Sequence, residues 1–224
     1  MELLQSEIIT PTVAASAPKY SYSIRMWHWL NAVIITCLLL TVLINSTVLK
    51  PWTNSSFITA KLSEKGVKLT EDQSRSVAFA LADKVWTVHV WLGYALAALF
   101  FYRLTAESLE LADKKLIGKI KSAKKAFLLR QADRIEQRNE MLIKTLYALF
   151  YVLLMVMVIT GLALAFRDSI PALKPLHFIK EIHGFTMYFI LAFTVIHIAG
   201  VVLGEKKTHK GIVSDMINGG TVTR

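Results

Sequence analysis

The chain has 224 residues, of which 54% are hydrophobic and 19% are charged, and its formal net charge is +10 at pH 7. A soluble domain of this length would carry more charged and fewer apolar residues, so the composition argues against a water-soluble protein. A helix needs about 20 apolar residues to cross the hydrocarbon core of a membrane. The sequence predicts an all-α integral membrane bundle of four transmembrane helices, because it contains four uncharged stretches of 18 to 24 residues: 26–49, 85–102, 145–166 and 182–204.

We treat the chain as one membrane domain, residues 1–224. Residues 50–84 are predicted to form an external loop and residues 105–143 a basic internal loop. The internal loop fits either an amphipathic helix on the membrane surface or a solvated continuation of the neighbouring spans. With the polar helix ends included, the predicted spans are about residues 26–49, 85–104, 144–166 and 178–204.

Two short motifs predict helix boundaries outside the spans. Thr70 and Gln73 fit a capping box, so a helix is expected to begin there and to continue into the second span. Pro51 is expected to stop the first helix. Near the C-terminus, Gly219 and Gly220 are expected to cap a short helix such as 211–218.

The distribution of Lys and Arg predicts the orientation, because cytoplasmic segments of membrane proteins carry the excess of basic residues. With both termini in the cytoplasm, 17 of the 26 basic residues lie inside and 9 lie outside. The net charge is therefore attributed to orientation and to contact with anionic membrane lipid, and not to nucleic acid. No apolar signal-peptide core precedes Ser21, so the first span is expected to act as an uncleaved anchor.

Four of the six histidines lie in or at the ends of the apolar spans: His28, His89, His183 and His197. An ionisable side chain in a membrane is costly and usually faces the bundle interior. His183 and His197 are 14 residues apart, which is about 21 Å along a helix and within about 40° of four whole turns. One helix therefore presents two imidazoles on one face at two depths, while His177 and His209 are expected at the surface.

The predicted depths of the four histidines match in two pairs. His89 and His183 lie towards the outer surface, and His28 and His197 towards the inner surface. Two imidazoles from different helices are what axial ligation of a haem iron requires, whereas zinc would need three or four ligands at one depth. The pattern predicts two b-type haems held non-covalently, because the sole cysteine, Cys37, forms no C-x-x-C-H attachment motif.

Several neighbours of these histidines are candidates for contacting the cofactor. Gly93, Gly184 and Gly200 would let a flat macrocycle approach the helix backbone, although ordinary packing of small residues explains them equally well. Arg25 and Arg103 could pair with haem propionates or could reach lipid phosphates instead. Lys180 and Arg167 are weaker candidates near the outer haem. Four tryptophans are interpreted as interfacial: Trp27, Trp29, Trp86 and Trp91.

At these residues the sequence resembles the bacterial di-haem cytochrome b family, which includes cytochrome b-561 and the b-type cytochrome subunit of nickel-iron hydrogenases. The resemblance covers about residues 21–220. It is carried by R-x-x-H-W at residues 25–29, by H-x-x-x-G at residues 89–93 and by the two histidines of the fourth span. It implies two b haems, electron exchange with the quinone pool, and the bacterial cytoplasmic (inner) membrane. A redox partner is also implied: a hydrogenase, a dehydrogenase or a cytochrome c type protein.

Three functions fit these observations. The leading hypothesis is a respiratory-chain electron-transfer cytochrome between quinone and a partner protein, which would be an oxidoreductase subunit with no catalytic side chains of its own. An alternative is an enzyme that acts directly on a small molecule such as superoxide at a haem edge. A third is a transporter in which the histidines form a metal or proton pathway.

Overall fold

The computed structural model describes residues 19–109, 134–207 and 211–220, and within these ranges all regular structure is helical. Most of the predicted internal loop, residues 110–133, lies outside the described residues, as does His209. The described ranges contain six α-helices: α1 Tyr22–Thr47, α2 Pro51–Ser63, α3 Glu71–Leu109, α4 Arg134–Ala165, α5 Phe178–Lys207 and α6 Ile212–Asn218, with a 3₁₀ turn at Pro171–Leu173 before α5.

Four of these helices, α1, α3, α4 and α5, are long and apolar enough to cross a membrane. In each candidate span only 6–17% of the most apolar window is buried inside the structure. Many of the other apolar side chains are exposed, among them Val33, Val152 and Phe185, and such a surface is stable only against lipid. The prediction of an all-α membrane bundle with four spans is therefore confirmed.

The capping box predicted in the external loop is present. The Thr70 hydroxyl accepts a hydrogen bond from the Gln73 amide at 3.2 Å, and the Gln73 side chain accepts one from the Thr70 amide at 2.9 Å. Such a cap stabilises a helix by about 1 kcal/mol. The helix α3 begins at Glu71 and continues without a break through the second span, as the sequence predicted.

The first half of the external loop differs from expectation, because it contains a second helix, α2. The first helix does end before Pro51, at Thr47, but Pro51 itself opens α2. Proline is favoured at the first position of a helix, where its missing N–H would have no partner. Arg75 of α3 then lies over the Trp52 ring of α2, 4.6 Å from its centroid, and pairs with Glu71.

The described residues form two compact units, of which the larger takes in those between Trp27 and Ala199. Its buried core takes at least one residue from each span: Trp27, Ile35, Leu96, Ala97, Phe100, Leu154, Val158 and Ile190. Trp27 is 9% exposed and donates its indole N–H to the Leu99 carbonyl at 3.0 Å. The interpretation of Trp27 as an interfacial residue is therefore wrong, because its ring is part of the core.

The smaller unit joins the start of α1 to the C-terminal segment. The Tyr20 amide donates to the Gly219 carbonyl at 3.1 Å, and the Lys19 ammonium pairs with the Asp215 carboxylate at 3.1 Å. The hydrogen bond from the Lys19 ammonium to Asp215 raises the pKa of Lys19 above its usual value. The predicted short helix is confirmed as α6, and Gly219 ends it in the left-handed conformation with φ of 106°.

Candidate functional site

The outer pair, His89 and His183, brings together one imidazole from α3 and one from α5. Their ring centroids are 6.5 Å apart, and the ring planes are nearly perpendicular at 81°. Nδ1 of His89 lies 2.7 Å from the Thr41 hydroxyl of α1, and Nδ1 of His183 lies 2.9 Å from the Thr160 hydroxyl of α4. All four spans therefore contribute to this site, two through histidines and two through threonines.

The inner pair, His28 and His197, brings together imidazoles from α1 and α5. Their ring centroids are 6.1 Å apart and their planes make an angle of 67°. The surroundings of these rings are aromatic. Phe193 stacks on His197 with an angle of 5° and a centroid separation of 5.9 Å, and Trp29 meets His28 edge to face at 5.4 Å.

Both pairs have the spacing of two axial ligands on one metal ion. Two metal–nitrogen bonds of about 2 Å, with roughly 1 Å from each nitrogen to its ring centre, separate the centres of two such rings by about 6 Å. The observed separations are 6.5 and 6.1 Å. No group of three or more His, Cys, Asp or Glu that could hold a metal occurs in the described ranges. Each pair thus presents two imidazoles at the separation that two ligands of one haem iron would have.

A cavity of about 550 Å³ adjoins the outer pair, and both His89 and His183 line it. Its other walls are mostly apolar residues from all four spans, for example Leu38, Leu154 and Met187, and Lys180 adds a cationic group. An apolar cavity of this size with a few convergent polar groups is typical of a cofactor site. The side chains around the outer pair therefore fit a flat, mainly apolar group with a charged edge.

The glycines suggested by the sequence have different surroundings. Gly93 and Gly184 line the cavity, and a Cβ added at either residue, or at Gly200, would meet no described atom within 4 Å. Gly161 was missed by sequence reasoning. A Cβ there would lie 3.1 Å from Cε1 of His183, so a side chain at this position would push the ring away from α4. It follows Thr160 in the sequence, but the approach of both residues to the His183 ring depends on packing between helices and was not visible there.

The predicted propionate partners have other partners in this structure. The Arg25 guanidinium donates to the Ile217 carbonyl within the smaller unit. Arg103 donates to the Tyr151 hydroxyl at 3.1 Å and pairs with Glu107 at 2.7 Å. The proposed contacts of Arg25 and Arg103 with propionates stay predictions.

Arg167 and Lys180, the two weaker candidates for contact with the outer haem, lie in different surroundings. Arg167 donates to the Lys174 carbonyl at 2.7 Å and lies 3.0 Å from Nδ1 of His177, an exposed histidine as predicted. Lys180 lines the cavity one turn before His183 on α5. Of the two, Lys180 is therefore the basic residue placed beside the outer pair.

Comparison with protein families identifies one family. The model for prokaryotic cytochrome b561 matches residues 19–219, which is nearly the whole chain. Searches of curated proteins and of solved structures each found no significant match. The chain therefore belongs to the prokaryotic cytochrome b561 family, and as a member it is a multi-pass membrane cytochrome that binds b-type haem.

The contact at Gly161 predicts the effect of a single methyl group. Overpacking against the His183 ring costs about 1–3 kcal/mol, and helix propensity offsets about 1 kcal/mol of that cost. We therefore expect Gly161→Ala to be less stable than Gly200→Ala, where only the gain in propensity applies. Gly200→Ala is the control, because a Cβ there meets no described atom within 4 Å. Thermal unfolding in detergent measures the melting temperatures of both variants. Equal melting temperatures for the two variants would contradict the tight approach of His183 to α4.

Proposed function

We propose that this chain is a di-haem cytochrome that transfers electrons between quinone and a partner redox protein in the bacterial inner membrane. His89 and His183 would ligate one b-type haem, and His28 and His197 the other. The observation that supports this most strongly is a pair of neighbouring imidazoles from two different helices, present twice in one bundle with centroid separations of 6.5 and 6.1 Å. Bound haem supplies the one-electron chemistry that the side chains lack.

The position of the ligands on α5 supports a path across the membrane. His183 and His197 lie within one unbroken helix, Phe178–Lys207, and are about 21 Å apart along its axis. A hydrocarbon core is about 30 Å thick, so one site lies towards each surface. The helix α5 therefore supplies one histidine to each site. Because both histidines are on a single continuous helix, the separation of the two sites is fixed.

The apolar exterior and the basic residues support the proposed location. Apolar side chains cover the outside of the four spans, as a protein within the bilayer requires. The excess of Lys and Arg on the predicted inner side is the distribution that keeps both termini in the cytoplasm. We propose the quinone pool and a hydrogenase, a dehydrogenase or a cytochrome c type protein as the partners, in keeping with the resemblance in the sequence.

Alanine variants of the ligands test the assignment of the pairs. His89→Ala and His183→Ala should each remove or convert to high spin the same component of a redox titration, because each removes one axial ligand of one site. His28→Ala and His197→Ala should affect the other component. His177→Ala is the control, since this exposed histidine belongs to neither pair. Loss of a single shared component from both His183→Ala and His197→Ala would contradict the two-site arrangement.

Reaction with a quinol tests the electron-transfer function itself. A short-chain quinol mixed with the purified, oxidised protein should reduce it. The absorbance bands of reduced b-type haem should then appear in the visible spectrum. The corresponding quinone is the control, because it has no electrons to give. Failure of the quinol to reduce a protein that dithionite does reduce would count against quinone as the partner. Turnover of superoxide by the isolated chain would favour the enzymatic alternative.

A further inference from the structure

The two rings of the outer pair share a feature that the inner pair lacks. Each outer ring has its Nδ1 within hydrogen-bond distance of a threonine on a neighbouring span, Thr41 for His89 and Thr160 for His183. These threonines lie on α1 and α4, the two spans that supply no ligand to this site. In the described part of the chain, His28 and His197 have aromatic neighbours and no hydrogen bond from a ring nitrogen.

Each threonine hydroxyl donates its proton to a main-chain carbonyl of its own helix. Thr41 donates to the Leu38 carbonyl at 2.6 Å, and Thr160 donates to the Val156 carbonyl at 2.6 Å. A hydroxyl has one proton to donate and two lone pairs that can accept. With that proton directed at the carbonyl, each threonine oxygen is left to accept from the imidazole, which corresponds to the tautomer with the ring proton on Nδ1. The result is a chain from Nδ1–H through the hydroxyl to a main-chain carbonyl, here called the threonine relay.

The threonine relay fixes the tautomer that an axial ligand needs. With the proton on Nδ1, the lone pair of each outer ring is on Nε2, the nitrogen free to bind iron. Thr41 is 6% exposed, so its hydrogen bond lies in a medium of low dielectric, where such bonds are stronger than in water. A ring that donates Nδ1–H to an acceptor is also richer in electrons at Nε2. Greater donation from the ligand favours the more positive oxidation state of the metal.

We propose that Thr41 and Thr160 are positioning residues that lower the reduction potential of the outer site, while the inner site has no equivalent. This inference rests on the proposed ligation by His89 and His183. Because one threonine acts on each of the two rings, the lowered potential is a property of the whole outer site and not of a single ligand. The two sites of the protein would then differ in potential partly through this hydroxyl pair, in addition to differences in burial and charge.

Replacement by valine removes the hydroxyl and keeps the shape of the side chain. Thr41→Val and Thr160→Val should each raise the midpoint potential of the outer component and leave the inner component unchanged. For the double variant we expect about a tenfold change in the equilibrium constant for reduction, which is about 59 mV for a one-electron couple. A redox titration of the purified haem-loaded protein, followed by visible absorbance, measures both components at once.

Two sets of controls separate the hydrogen bond from packing. Thr41→Ser and Thr160→Ser keep the hydroxyl and lose a methyl group, so they should retain the wild-type potential. Thr36 and Thr145 lie on the same two helices and serve as positions for Thr36→Val and Thr145→Val. Among the described residues their hydroxyls bond to the Ala32 and Met141 carbonyls, and both side chains are exposed. Neither variant should shift either component.

The outcomes distinguish this inference from the proposed function. An unchanged or lowered outer potential in the double valine variant would overturn the role of the threonine relay. Loss of the outer component in both the valine and the serine variants would also overturn it, because packing alone would then explain the threonines. If His89→Ala and His183→Ala affect different components, the proposed ligation fails first. If both histidine variants affect one shared component but the valine variants do not shift its potential, the proposed ligation stands and only the role of the threonine relay is refuted.

Discussion

An imidazole inside a membrane span is tolerated only where its polar nitrogens have partners, because hydrocarbon provides none. The helix α5 carries two such rings on one face, and each has a second imidazole from another span beside it. His89 and His28 face them from α3 and α1 at 6.5 and 6.1 Å between ring centroids, and Thr160 bonds His183 from α4. On the proposed function, the iron of a haem would bind one nitrogen of each ring, and in the outer site the other nitrogen already has a threonine partner.

The packing of the bundle is consistent with a space kept for a cofactor. The core residues of the four spans, among them Leu154 and Phe100, pack closely, yet a cavity of about 550 Å³ lies beside the outer pair. A cavity forfeits the contacts that its lining residues would otherwise make, and each such loss costs stability. A ligand that binds only the folded state offsets this cost. The bound cofactor is therefore expected to contribute to the stability of the bundle as well as to its chemistry.

Much of the fold and part of the site could be predicted from the sequence. The spans follow from uncharged length, the Thr70 cap from a local motif, and the pairing of the histidines from depth and helical period. Thr41, Thr160 and Gly161 could not be found in this way, because threonine and glycine are common in membrane helices and only packing between helices selects these three. Trp27 was misjudged for a similar reason: its place near a span end favoured an interfacial ring, while contacts with Leu99 and Tyr151 bury it.

On the proposed function, the two histidine pairs hold two b-type haems in one chain. The most direct measurement is the haem content of the purified protein, determined as the pyridine haemochrome and divided by the protein concentration from amino-acid analysis. Two pairs of axial ligands predict about two haems per chain, both released by acidified acetone because no cysteine binds them covalently. A reproducible value of one or zero would contradict the assignment of His28, His89, His183 and His197 as two sites.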